Sequence, residues 1–167
     1  MTKSLVFIHG MFGASWHWDN FRSFFEERGF QCHTPVLRHH DIDPKDTPDP
    51  SLGTTSLLDY AQDLEAYIRK MDEKPLLIGH SMGGLLSQML GARGIVSGVV
   101  LLTPASPSGI NALTYSVIRS FWRILTKWGF WRKSHRPSFK SAVYSTLHLL
   151  PEMDQKSTFE KIVYESG

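Results

Sequence analysis

Apolar residues follow two alternating rhythms along the first hundred positions. Short unbroken runs, Leu5-Val6-Phe7-Ile8 and Pro75-Leu76-Leu77-Ile78, are bounded by turn formers and charge, the pattern of strands buried on both faces. Residues 31–37 and 96–103 read as two further strands, the second stopped by Pro104. Between the strands, apolar positions recur at helical spacing. Residues 16–28 carry Trp18, Phe21, Phe24 and Phe25 on one face and end before Gly29. Residues 57–71 carry Leu58, Ala61, Leu64 and Ile68 on one face, and residues 81–91 include a third helix. The polar, proline-rich stretch 38–55, with Asp41, Asp43, Asp46 and Asp49, reads as a long surface loop. Four buried strands joined through helices predict an α/β fold: a parallel sheet, helices on both faces, right-handed crossovers. Ligands of such sheets bind at the carboxyl ends of the strands, so the loops after Ile8, Ile78 and Thr103 are expected to share one edge. After Ala105 the rhythm changes, and residues 112–128, 139–149 and 155–164 look helical with no strand following.

The stretch Gly79-His80-Ser81-Met82-Gly83 joins the third strand to the third helix. A serine hydroxyl is a weak nucleophile until a tight turn lifts it clear of the backbone and a base takes its proton. Such a turn needs small residues two before and two after the serine, because strand and helix pass close together there. Gly79 and Gly83 meet that need, and Gly84 lets the helix lie close to the sheet. Ser81 is therefore the candidate nucleophile.

Composition changes this picture little, with 41% hydrophobic and 20% charged residues in 167, as expected of one globular domain. Charge distribution matters more. Residues 112–140 hold seven basic side chains (Arg119, Arg123, Lys127, Arg132, Lys133, Arg136, Lys140) and no acid, leaving about five net negative charges elsewhere (2 − 7). The single cysteine, Cys32, excludes an internal disulfide and reads as a buried structural thiol. Residues 1–4 lead straight into a strand, with no signal-peptide core, so a cytoplasmic location is expected. Neither metal-ligand spacing nor a phosphate-binding glycine loop is seen, and no cofactor is expected.

The His9-Gly10-Met11-Phe12-Gly13 loop, the elbow at Ser81 and the helices following Leu101-Leu102-Thr103-Pro104 together resemble the α/β-hydrolase superfamily. The likeness is to its small, capped esterase and lipase-like members. It implies an α/β-hydrolase core over residues 1–105, containing the third to sixth strands of that fold, and a helical cap or lid over 106–167. It also implies Ser81 as nucleophile, with the backbone N–H groups of Met11 and Met82 as the oxyanion hole. One such fixed donor is typically worth about 3–4 kcal/mol. The two methionine side chains would line the pocket. Carboxylic esters with an apolar acyl part are the implied substrates, hydrolysed through an acyl-enzyme. A carbon–carbon lyase on the same serine, or a binding protein that keeps the pocket without turnover, are the alternatives.

In this superfamily the catalytic acid and histidine usually follow the seventh and eighth strands, neither of which is present. A variant acid position after the sixth strand reads Thr103-Pro104-Ala105-Ser106, without a carboxylate. The chain thus looks like the N-terminal part of a longer hydrolase, and the general base and acid are left unassigned. Among local histidines, His9 reads as structural and His80 is forced away from Ser81 by the elbow. His39 and His40, at the end of the second strand on the site's edge, read as solvated loop residues with a role as the base the alternative, His135 and His148 as ordinary surface or packing residues that could overhang the site, and His17 and His33 as helix-face and strand residues. The basic aromatic segment 115–133 is read as a helix packing its aromatics inward with a solvated basic face. An acyl-binding lid or a membrane-surface helix is the alternative; the basic run would also draw substrates with an anionic portion to the site, nucleic-acid binding has little support, and no nucleic-acid partner is expected. The strand at 98–102 would be an exposed hydrophobic edge, so self-association is expected.

Overall fold

The computed structural model describes residues 3–167. Four strands, β1 (Ser4–Ile8), β2 (Gln31–His33), β3 (Leu76–His80) and β4 (Gly98–Leu102), form one parallel sheet in the order β2-β1-β3-β4. Alternate residues of β1 feed two cores. Leu5 and Phe7 pack with Trp18 and Ile78 beneath α1 (Asp19–Glu26). Val6 and Ile8 pack with Tyr60, Ala61 and Leu64 of α2 (Leu57–Ile68) and Leu86 and Leu90 of α3 (Met82–Ala92). The predicted sheet with helices on both faces is present.

The elements are shorter than the periodicity suggests, for local reasons. β2 stops at His33 rather than Leu37, because Pro35 has no N–H for a ladder and the chain then crosses to place the Leu37 N–H on His9. The predicted helix over 16–28 opens as a 3-10 turn (Ser15–Trp18) before α1, and Phe21 and Phe24 are exposed rather than packed. α2 starts at a capping box formed by Ser56 and Asp59. Part of the supposed surface loop 38–55 is interior: Leu52 and Gly53 are buried in a 3-10 turn (Pro50–Thr54), and a Cβ on Gly53 would stand 2.8 Å from the Arg132 carbonyl oxygen. Cys32 is half-buried, and its thiol pKa is raised chiefly by that burial.

Beyond β4 lie α4 (Tyr115–Leu125), a 3-10 turn (Phe130–Arg132), α5 (Phe139–Ala142) and α6 (Glu152–Glu160). α5 gives way to a π-helical turn over Val143–Leu147. There the Ser145 and Thr146 hydroxyls donate back to carbonyls of the preceding turn, a competition that loosens helical geometry. α4 meets the packing expected of it only in part. No residue of it is buried, and Tyr115, Ile118, Trp122 and Leu125 form an outward apolar stripe. Arg123 and Lys127 are exposed, as a solvated basic face requires, but they also border a cavity beside the apolar Val117, Phe121 and Ile124 of the same helix. No described helix is long and apolar enough to cross a membrane.

Candidate active site

The elbow is built by close backbone approach. A Cβ on Gly83 would run into the Ile8 carbonyl, and one on Gly79 into the Gly83 carbonyl and the Ser87 hydroxyl. Only glycine fits either place. Ser81 itself sits at φ 53°, ψ −119°, a conformation that costs a non-glycine residue roughly 1–3 kcal/mol and is tolerated where the surroundings over-determine it. Here they do. The Ser81 N–H donates to Leu102 O (3.1 Å), while Ser81 O accepts from Gly84 N (2.9 Å) and Ala105 N (2.9 Å). Its hydroxyl makes no capping bond to α3, so it is left for other chemistry.

The loop after β1 closes on the same spot. A Cβ on Gly10 would lie 3.0 Å from Ser81 Cβ, which places Met11 beside the elbow. Met82 is the first residue of α3, where backbone N–H groups lack helical acceptors. The two methionine side chains divide: Met11 lines the cavity above Ser81, whereas Met82 is buried in the core beside α2, contrary to the expectation that both line the pocket. That cavity measures about 790 Å³ and is walled by the β1 loop, α4, α5 and the turn after it.

Each histidine now has a place. His9 is buried, with Nδ1–H donating to Gly10 O (3.0 Å) and Nε2 accepting from Leu37 N (3.1 Å). Burial holds its pKa down at about 4, so it is a neutral structural group, as its strand-end position suggested. His39 meets Ser51 and Asp49 away from the cavity. His33 meets the Tyr67 hydroxyl, while His135 is buried, donating Nε2–H to Phe130 O, and His148 is exposed. The histidines lining the cavity with Ser81 are His80 and His17. The sequence pattern suggests only a helix-face position for His17. Instead its Nδ1 is buried without a partner, and burial with the nearby His80 ring lowers its pKa to about 4. Among the described residues no histidine ring is hydrogen-bonded to the Ser81 hydroxyl.

His40 departs furthest from expectation. Read as a solvated loop residue, it is 1% exposed, as is Glu165. His40 Nδ1 faces Arg38 O (2.9 Å) and Nε2 faces Glu165 Oε2 (3.1 Å). Both neighbours only accept, so both ring nitrogens are satisfied only when the ring is protonated. Burial opposes that charge, but the Glu165 bond and charge, aided by Arg38 O, outweigh it and raise the His40 pKa. Burial likewise opposes the Glu165 carboxylate, yet His40, Tyr60 and the Ser166 N–H together lower its pKa. The other oxygen, Oε1, accepts from the Tyr60 hydroxyl (2.8 Å) and Ser166 N (2.9 Å). The same terminal stretch pairs its backbone with His135 and donates from Val163 N to Phe12 O (3.0 Å). Phe12, at φ 63°, belongs to the loop beside Ser81. The pair thus clamps the end of the chain against that loop.

Residues 5–160 match the sequence model of the alpha/beta hydrolase family. The chain belongs to that family. Among solved structures it is similar to an extracellular alpha/beta-hydrolase from a Paenibacillus species, described as sharing structural and functional homology with tobacco salicylic acid binding protein 2 (18% identity, TM-score 0.78, 98% of this chain and 66% of that one). It is similar also to a tomato methylketone synthase I variant complexed with beta-ketoheptanoate (19%, 0.68, 99% and 68%). A third similar structure is polyneuridine aldehyde esterase (18%, 0.69, 99% and 70%). At these identities the likeness is one of fold, and the chain spans about two-thirds of the length of each of these α/β-hydrolases.

Proposed function

We propose that this chain carries the nucleophile of a serine hydrolase that cleaves carboxylic esters with an apolar acyl part. The observation that carries the reading is the Ser81 elbow: a serine locked at positive φ, its hydroxyl free of the helix cap, facing a cavity of about 790 Å³. In this mechanism Ser81 Oγ attacks the ester carbonyl while a base takes its proton. The oxyanion is held by the N–H groups of Met11 and Met82, and water then releases the acid. Residues 106–167 act as the cap, supported by the placement of α4 and α5 over the cavity. The general base and acid stay unassigned, because His9 and His40 are committed to structural bonds and, among the described residues, no histidine ring is hydrogen-bonded to the Ser81 hydroxyl. A cytoplasmic setting accompanies the reading, resting on the lone cysteine, Cys32.

That missing contact favours a second reading, a protein that holds a ligand without turnover. Intact-mass spectrometry after exposure to a fluorophosphonate probe separates the two. An adduct on the 19.0 kDa chain, lost in Ser81→Ala, supports the hydrolase. A folded chain that takes no adduct supports the binder.

A further inference from the structure

One wall of the cavity carries charge without counter-charge. Arg123, Lys127 and Arg136 line it together with the Ser81 floor, and no lining residue is acidic. Among the described residues none of the three forms an ion pair. Arg136 is the most informative. It is half-buried, held by Pro44 O (2.9 Å) and Phe159 O (3.3 Å), and lies over the Phe159 ring at 5.2 Å. Its Nε is buried with no partner. A guanidinium fixed in place, partly desolvated and lacking an anion is costly unless something else supplies that anion. The orientation of α4 points the same way. The helix brings Arg123 and Lys127 to the cavity beside Val117, Phe121 and Ile124 while Tyr115, Ile118, Trp122 and Leu125 stay partly exposed, so burial of apolar area alone does not set its rotation.

We propose that the ligand this cavity takes is an amphiphilic oxyanion: an ester that also bears a carboxylate or phosphate, seated against Arg136, Arg123 and Lys127 with its apolar part along Val117, Phe121 and Ile124. As a statement about substrate it rests on the hydrolase reading. As a statement about binding it does not. Arginine's planar fork suits either anion, and the concentrated positive field raises the local concentration of such ligands.

The test is calorimetric titration of the full chain with octanoate, octyl phosphate and octanamide, none of which is an ester, so no acylation at Ser81 is needed. At least one of the anions binds about tenfold or more tightly than octanamide at low salt, and the margin shrinks as salt is added. The tighter anion identifies the carboxylate or the phosphate class. The margin falls in Arg136→Gln and is largely kept in Arg136→Lys. Because Arg136 also braces two backbone carbonyls, the exposed pair Arg123→Gln/Lys127→Gln provides a second variant with little bearing on folding, and it too narrows the margin. Octanamide binding as tightly as both anions, or a margin untouched in both glutamine variants, overturns the proposal. Failure of fluorophosphonate labelling alongside a preserved margin would remove the hydrolase and leave the anion site.

Discussion

Replacing Glu165 with alanine removes the carboxylate from a site where it is 1% exposed and bonded to His40, Tyr60 and Ser166. What is left is a buried imidazolium with one nitrogen unsatisfied and a buried phenol with no acceptor. Breaking such a pair from one side costs about 3–5 kcal/mol. For a chain of this size that is a fall in Tm of roughly 6–20 °C. Urea unfolding followed by circular dichroism measures the free-energy loss, and a thermal scan the Tm. The pH dependence gives the sharper check. His40 is raised, so its contribution is full below its unfolded pKa of about 6.5 and is lost as pH rises through the folded value. Glu165 is lowered, so its contribution is present above about 4.5 and is lost as pH falls through its folded value. The stability gap between wild type and Glu165→Gln is therefore widest between about pH 4.5 and 6.5 and narrows in alkali. A gap below about 1 kcal/mol at pH 6, or one that widens as His40 deprotonates, would refute a protonated, ion-paired His40.

Two further outcomes follow from the packing. Gly83→Ala forces a methyl group against the Ile8 and His9 carbonyls; backbone cannot yield as a side chain would, so a loss of roughly 1–3 kcal/mol or more is expected in chemical denaturation, with weaker fluorophosphonate labelling. β4 ends the sheet with Val99 and Val100 partly exposed, so sedimentation should show the chain self-associating and Val100→Lys shifting it towards monomer; a wild-type chain that is monomeric at high concentration counts against this.

The strands β1 and β3 and the elbow were legible in sequence because their signals are local: an unbroken apolar run and glycines at fixed offsets from Ser81. Element ends were less so. Nothing in the hydrophobic pattern says that Pro35 ends the β2 ladder, or that the hydroxyls of Ser145 and Thr146 would loosen a helix. The packing of α4 was legible only in part: Val117, Phe121 and Ile124 face the cavity but Trp122 and Leu125 do not, since the apolar positions span more than one face and periodicity does not say on which side the rest of the molecule lies. The His40–Glu165 pair was invisible. Each residue alone has the composition of a surface loop, and only tertiary structure joins two positions 125 residues apart. A hint existed in hindsight, the polar tail Tyr164-Glu165-Ser166 following the apolar Ile162-Val163, but it named no partner.

The clamp also sets an order of events during synthesis. His40 leaves the ribosome 125 residues before the carboxylate that neutralises it, an interval of roughly 6–25 s at cellular elongation rates of about 5–20 residues per second. Throughout that time the β1–α3 core can condense on local contacts, yet His40 has no counter-ion and the Phe12 carbonyl no donor from Val163. The turn beside Ser81 is thus fixed later than the core beneath it, and the serine is held in a finished site only once residues 162–165 have arrived.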